Sequence, residues 1–109
     1  MDKKKILLLN TGGTFSAVKG AGGLKPGLEQ KDILEGLKPV SGECRLDFED
    51  IYSLDSANIM PGHWKYMANR IAAASKEYDG IVVIHGTDTM AYTSSMLSFM
   101  LCGIRIPVV

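Results

Sequence analysis

The residues of this 109-residue chain that could do chemistry gather at two points. His85-Gly86-Thr87-Asp88-Thr89 follows directly on the apolar run Ile81-Val82-Val83-Ile84, and Thr11-Gly12-Gly13-Thr14 follows the run Ile6-Leu7-Leu8-Leu9 in the same way. Hydroxyls, a carboxylate and an imidazole placed where buried strands should end suit nucleophilic chemistry on a small polar substrate. Thr14 is the candidate nucleophile, and a threonine hydroxyl is weak until a base takes its proton, so it needs a partner. The two glycines before it let the backbone turn sharply and approach a ligand. The plainer alternative is a turn in which Thr11 or Thr14 caps a short helical segment. Asp88 and Thr89 have the same double reading. Either they cap the helix that follows, or Asp88 holds a substrate ammonium while Thr87 works on the reacting carbonyl, with helix-terminal N–H groups facing a developing oxyanion. His85 is either a general base or, more commonly at such a position, a ring that orients its loop through hydrogen bonds. A phosphate loop is disfavoured, because Gly12-Gly13 fits neither the G-x-G-x-x-G spacing nor the Walker pattern with its lysine.

These groups need elements to hold them. Lys4–Asn10 reads as a strand covered on both faces, being aliphatic without alternation. The stretch from Gly12 to Gly27, with Gly20, Gly22, Gly23 and Pro26, reads as a loop containing no regular element. Gln30–Leu37 has helical spacing, and the second half of Leu46–Leu54 reads as a strand. Pro61 suits the first turn of a helix, along which Trp64, Met67, Ala68, Ile71 and Ala72 form one stripe, with His63 on its surface. Tyr78-Asp79-Gly80 closes that unit. The strand 81–84 and a helix from about Met90 to Leu101 follow, with Met96, Leu97, Met100 and Leu101 facing inward, and Gly103 supplies the stop. Ile104–Val109 begins another strand. Strands alternating with helices predict an α/β fold: three layers, a mostly parallel sheet, helices on both faces. All carboxyl ends of a parallel sheet lie along one edge, where ligands bind. Segments 11–14, 55–58 and 85–89 should therefore meet in one crevice. There Asp55-Ser56-Ala57-Asn58 would supply small donors and acceptors suited to a carboxylate or amide.

The bulk properties narrow the function classes. The chain is at most one domain, long enough to bury roughly two thirds of its unfolded surface. Twelve basic and twelve acidic side chains give no net charge. That disfavours nucleic-acid binding, which depends on clustered positive charge, and gives no reason for a membrane-surface role. No run approaches a signal peptide's apolar core or the roughly 20 residues of a membrane span. Cys44 and Cys102 lack metal-type spacing and read as thiols in a reducing compartment. The expected location is cytoplasmic. The methionines at 67, 90, 96 and 100 read as packing.

Thr11-Gly12-Gly13-Thr14-Phe15 and His85-Gly86-Thr87-Asp88-Thr89-Met90-Ala91-Tyr92-Thr93 resemble the two signatures of the bacterial L-asparaginases. Ala91-Tyr92-Thr93 through Leu97-Ser98-Phe99-Met100-Leu101 resembles their cytoplasmic, type I branch, as does Leu54-Asp55-Ser56 with Asn58-Ile59-Met60-Pro61 and Trp64 after it. The likeness runs along the whole chain. It implies hydrolysis of L-asparagine, and more weakly L-glutamine, to the acid and ammonia, with no metal or organic cofactor. By that resemblance Thr14 attacks the side-chain amide and forms an acyl-enzyme. Thr87 is the second catalytic threonine, Asp88 binds the α-amino group, and Asp55, Ser56 and Ala57 hold the α-carboxylate. Leu24 falls where many relatives have a tyrosine that helps activate the first threonine, which leaves the base for Thr14 open.

The resemblance also implies an oligomeric enzyme with a lysine partner for the second threonine and a C-terminal domain, neither of which falls within 1–109. The expectation is an incomplete N-terminal asparaginase-like domain, inactive alone, with an exposed sheet edge prone to self-association. Two other functions compete with this one. The first is the amidase subunit of a tRNA-dependent amidotransferase, which shares both threonine motifs; the start of the first strand at residue 4 weighs against its extra N-terminal domain. The second is a non-catalytic amino-acid-binding module.

Overall fold

A computed structural model describes residues 3–12, 17–20, 23–26, 33, 35–52 and 54–109. Its centre is the parallel sheet of β1 (Lys4–Asn10), β4 (Cys44–Asp50) and β5 (Gly80–Ile84), in the order β4-β1-β5. Leu7, Leu8 and Leu9 of β1 are all buried. Consecutive side chains of a strand point to opposite faces, so this run marks a strand covered on both sides, which is why it lacks alternation. Residues 107–109 extend the sheet beside β5: the Ile81 N–H donates to the Pro107 carbonyl at 3.0 Å and the Val109 N–H to the Ile81 carbonyl at 2.9 Å. The strand expected from Ile104 is thus confined to its last residues.

Two long helices pack on one face of the sheet: α2 (Pro61–Ala74) and α3 (Met90–Met100). Successive right-handed crossovers in one direction along a sheet put both helices on the same side. Accordingly Met67, Ala68, Ile71 and Ala74 of α2 and Leu97 of α3 share a core with Leu7, Leu9 and Ile81. Helix α2 begins as its sequence predicts, with proline in the first turn. His63 is not idle surface, because its Nδ1 accepts the Met60 N–H at 2.8 Å and so satisfies the start of the helix. Helix α3 is followed by Gly103, whose φ of +92° suits a glycine stop.

Three expectations need correction. Ala17–Gly20 (β2) and Gly23–Pro26 (β3) form an antiparallel pair, in a stretch that reads as loop. Each strand is only four residues long, too short to display a period among its glycines, and Pro26 ends the ladder where no further donor is required. The strand in the 46–54 region is Cys44–Asp50, with Ile51 and Tyr52 beyond its end. Pairing with β1 sets it, from Lys4 opposite Cys44 to Asn10 opposite Asp50, so the strand stops where its partner stops. In α3, Met96 and Met100 lie on the exposed side; the inward stripe is Thr93, Leu97 and Leu101.

The helix expected over 30–37 falls partly outside the described residues. Ile33, Glu35 and Gly36 are helical and a short helix, α1 (Lys38–Ser41), follows. Arg70 of α2 makes a two-pronged ion pair with Glu49 of β4, both contacts at 2.7 Å, tying helix layer to sheet edge. No helix among the described residues is long and apolar enough to cross a membrane.

Candidate active site

Strand ends decide where the motifs sit. With β1 between β4 and β5, chain direction along the sheet reverses at β1, and the turns after all three strands lie on one rim. Thr11 joins them. Its N–H and its hydroxyl both donate to the Ile84 carbonyl at the end of β5, at 2.9 and 2.7 Å, and its own carbonyl accepts the Leu54 N–H at 3.1 Å. Thr11 is therefore a buried clasp between the ends of β1 and β5. Asn10, which sequence reasoning missed, does the corresponding work toward β4. Its amide donates to Asp50 at 2.9 Å, its side-chain oxygen accepts the Gly12 N–H at 3.2 Å, and its carbonyl accepts from Ile51 and Tyr52. Gly12 has φ +99°, the left-handed region that disfavours a side chain, so the sharp turn after β1 is real. Thr14 lies outside the described residues, as does Gly13.

The second rim segment is a single 3-10 turn, Ser56–Asn58. Asp55 caps it, its carboxylate accepting the Ala57 N–H at 3.0 Å. Asp55 and Ala57 are exposed, whereas Ser56 is buried and faces the third segment. The Ser56 hydroxyl accepts the Asp88 N–H at 3.1 Å, and its carbonyl accepts the Thr89 hydroxyl at 2.8 Å. Two bonds from one buried serine thus stitch the second segment directly to the third. Thr89 precedes α3 but makes no capping bond with its side chain, so the capping alternative for this pair fails. Thr87 and Asp88 are exposed at the rim. The Asp88 carboxylate has no ion-pair partner among the described residues.

His85 is settled by its contacts. It is 8% exposed, and both ring nitrogens are engaged: Nδ1 with the Gly86 carbonyl at 2.6 Å, Nε2 with the Thr93 hydroxyl at 2.9 Å. The Thr93 oxygen in turn accepts the Trp64 indole N–H at 2.7 Å. These bonds give the ring the orienting role and leave neither nitrogen facing a ligand. Trp64 reads as helix core and Thr93 as the end of the second signature, and neither reading foretells the bonds they make. The available signal was the position of Thr93, one helical turn before the buried Leu97.

Two tyrosines near the sheet hold their protons more tightly than usual, and Tyr78, which precedes β5, lies at the edge opposite the rim. The Tyr78 hydroxyl donates to Asp47 at 2.7 Å, which pushes its own ionisation up. Burial, helped by Tyr66, pushes the Tyr52 phenol up as well. A cavity of about 400 Å³ opens elsewhere, between β5, α3 and residues 104–109. Val83, Leu97, Leu101, Ile106 and Val108 make it apolar, and of the rim segment it touches only His85. It is not built for an amino acid. Among the described residues no group of three or more His, Cys, Asp or Glu is placed to hold a metal ion.

Comparison with known proteins agrees with this fold. A family model described as asparaginase, N-terminal, matches residues 5–109. An L-asparaginase of Thermococcus kodakarensis is 46% identical over 107 residues, which cover 96% of this chain and 32% of that protein. A glutamyl-tRNA(Gln) amidotransferase subunit of Saccharolobus islandicus is 37% identical over 110 residues, covering 98% of this chain and 25% of that one. The solved thermostable L-asparaginase from Thermococcus kodakarensis superposes with a TM-score of 0.78 at 44% identity, over 95% of this chain and 32% of the other. L-asparaginase I from Vibrio cholerae gives 0.74 at 33%, over 90% and 30%. A probable cytoplasmic L-asparaginase from Campylobacter jejuni gives 0.75 at 28%, over 87% and 28%. The chain thus spans a quarter to a third of the length of these curated relatives.

Proposed function

The chain belongs to the asparaginase family, and from that premise we propose that it supplies the nucleophile-bearing, N-terminal share of an L-asparagine amidohydrolase. One observation carries the reading: three segments distant in sequence are hydrogen-bonded into a single rim, Thr11 to Ile84 and Leu54, and Ser56 to Asp88 and Thr89. On this reading the Thr14 hydroxyl attacks the side-chain amide carbon, the C–N bond breaks as the nitrogen leaves as ammonia, and water hydrolyses the resulting ester to free L-aspartate. Thr87 is the second catalytic hydroxyl. Asp88, an exposed carboxylate without a counter-ion among the described residues, holds the α-ammonium, and Asp55, Ser56 and Ala57 frame the α-carboxylate. The Thr87 N–H has no acceptor among the described residues and is available to a developing oxyanion.

Among the described residues no cation pairs with Asp88 to help move a proton there, so residues 1–109 alone are expected to release ammonia far more slowly than a full-length relative. The active enzyme on this reading is a cytoplasmic, type I-like homo-oligomer acting on L-asparagine and more weakly on L-glutamine. The names of the Campylobacter and Vibrio relatives support the first two attributes.

Calorimetric titration with L-aspartate tests the site. Saturable binding is expected, weakened about 10- to 100-fold in Asp88→Asn, the loss that follows from a charged hydrogen-bond partner of about 1.5–3 kcal/mol. No heat at millimolar ligand, or binding indifferent to Asp88→Asn, overturns the proposal. The 37% identity to the Saccharolobus amidotransferase favours a second reading, in which ammonia is passed to glutamyl-tRNA(Gln). Ammonia appearing in solution without a tRNA and a partner protein present separates the first from the second.

A further inference from the structure

The bonds around His85 carry a consequence for the exposed Thr87 beyond it. A backbone carbonyl can only accept, so the 2.6 Å contact requires a proton on His85 Nδ1. A neutral ring then has Nε2 bare, and the Thr93 hydroxyl donates to it at 2.9 Å while receiving the Trp64 N–H at 2.7 Å. Every donor and acceptor in the series is used in one direction only: indole N–H to threonine oxygen, threonine O–H to imidazole, imidazole N–H to the Gly86 carbonyl. Reversing any member leaves a buried polar atom unpaired, at roughly 1–3 kcal/mol. The peptide bond after Gly86 is planar and trans, so fixing the Gly86 carbonyl toward the ring aims the Thr87 N–H the opposite way. That N–H has no acceptor among the described residues.

We infer that Trp64, Thr93 and His85 are positioning residues: a one-way hydrogen-bond relay from α2 through α3 that sets the Gly86–Thr87 peptide and so presents the Thr87 N–H at the rim. The relay rests on the amidohydrolase reading only for what the presented N–H binds. It explains why a threonine occupies the buried face of α3, where an aliphatic residue would pack without any need of partners.

The test is NMR of the whole chain with nitrogen-labelled histidine, read beside the backbone amides. The wild type is expected to show a pyrrole-like Nδ1 and a pyridine-like Nε2 for His85. Thr93→Val, which keeps shape and removes the hydroxyl, leaves Nε2 without its donor and should shift the His85 Nε2 signal together with the Gly86, Thr87 and Asp88 amides. Thr93→Ser should restore the Nε2 signal and the three amide positions. Trp64→Phe, which keeps an aromatic ring but removes the indole donor, should move the same signals by less. An Nε2–H tautomer in the wild type overturns the inference. So does a Thr93→Val chain, folded by its remaining amide spectrum, whose imidazole and Thr87 signals stay in place. If Thr93→Val does not fold, Thr93→Ser and Trp64→Phe decide on the same signals. The ring readout needs no ligand, so the correct tautomer without L-aspartate binding refutes the amidohydrolase reading alone.

Discussion

Thr11→Val isolates what the clasp contributes. The substitution keeps the branched shape and removes one hydroxyl from a side chain that is 2% exposed. The Ile84 carbonyl loses the 2.7 Å bond but keeps the 2.9 Å bond from the Thr11 N–H, so no acceptor is orphaned. The loss should therefore be that of one net hydrogen bond, about 1 kcal/mol, and not the larger penalty of a buried unpaired group. Thr11→Ser removes the methyl alone, near 0.8 kcal/mol for one buried carbon. Thr11→Ala removes both and should cost about 2 kcal/mol by their sum. Urea denaturation reads these differences. With a slope of roughly 1–3 kcal/mol per molar, Thr11→Val should lower the midpoint by about 0.3–1 M at unchanged slope. A neutral Thr11→Val beside a costly Thr11→Ser would mean the hydroxyl contributes nothing. A loss above about 3 kcal/mol would mean the carbonyl is not shared as described.

Ile71 is fully buried where α2 meets the sheet, so Ile71→Ala should cost about 2–5 kcal/mol, read as a lower urea midpoint. A cost below about 1 kcal/mol would show that the helix layer collapses around the gap. The Asp47 carboxyl is held below the usual carboxylate range, first by the Tyr78 hydroxyl and then by Arg45, against burial, which raises it. A depressed folded value means stability present above the ordinary Asp value of about 3.9 and lost as pH falls through the lower folded one. Tyr78→Phe should raise the Asp47 titration, seen by carboxyl-carbon NMR. The stability gap between the two proteins should narrow below about pH 4. An unmoved Asp47 titration would show that the hydroxyl does not set it.

Much of the scaffold was legible because burial imposes pattern. β1 and β5 are aliphatic runs since both faces are covered, and α2 shows its stripe because one side meets solvent. The gathering of 11–12, 55–56 and 88–89 followed from parallel topology alone. Other parts left no such trace. α3 sets Ser94, Ser95 and Ser98 on one side but has an apolar face too broad to point, with Met90, Tyr92, Met96, Phe99 and Met100 exposed, so periodicity could not say which part of it faces the core. The true stripe includes a polar residue, Thr93, admitted because Trp64 and His85 satisfy its hydroxyl. The end of β4 is set by its partner strand, a fact absent from its own residues. Thr14 lies outside the described residues, so the first hydroxyl motif rests on Asn10, Thr11 and Gly12.

Trp64 is the single tryptophan of the chain, and its indole nitrogen is the far end of the bonds that reach Gly86. The protein therefore carries its own optical gauge. Indole emission responds to whether its N–H is bonded and how wet its surroundings are, so an event that disturbs the 85–89 turn should register as a change of colour and intensity. Binding could be followed in unlabelled protein, at concentrations too low for calorimetry.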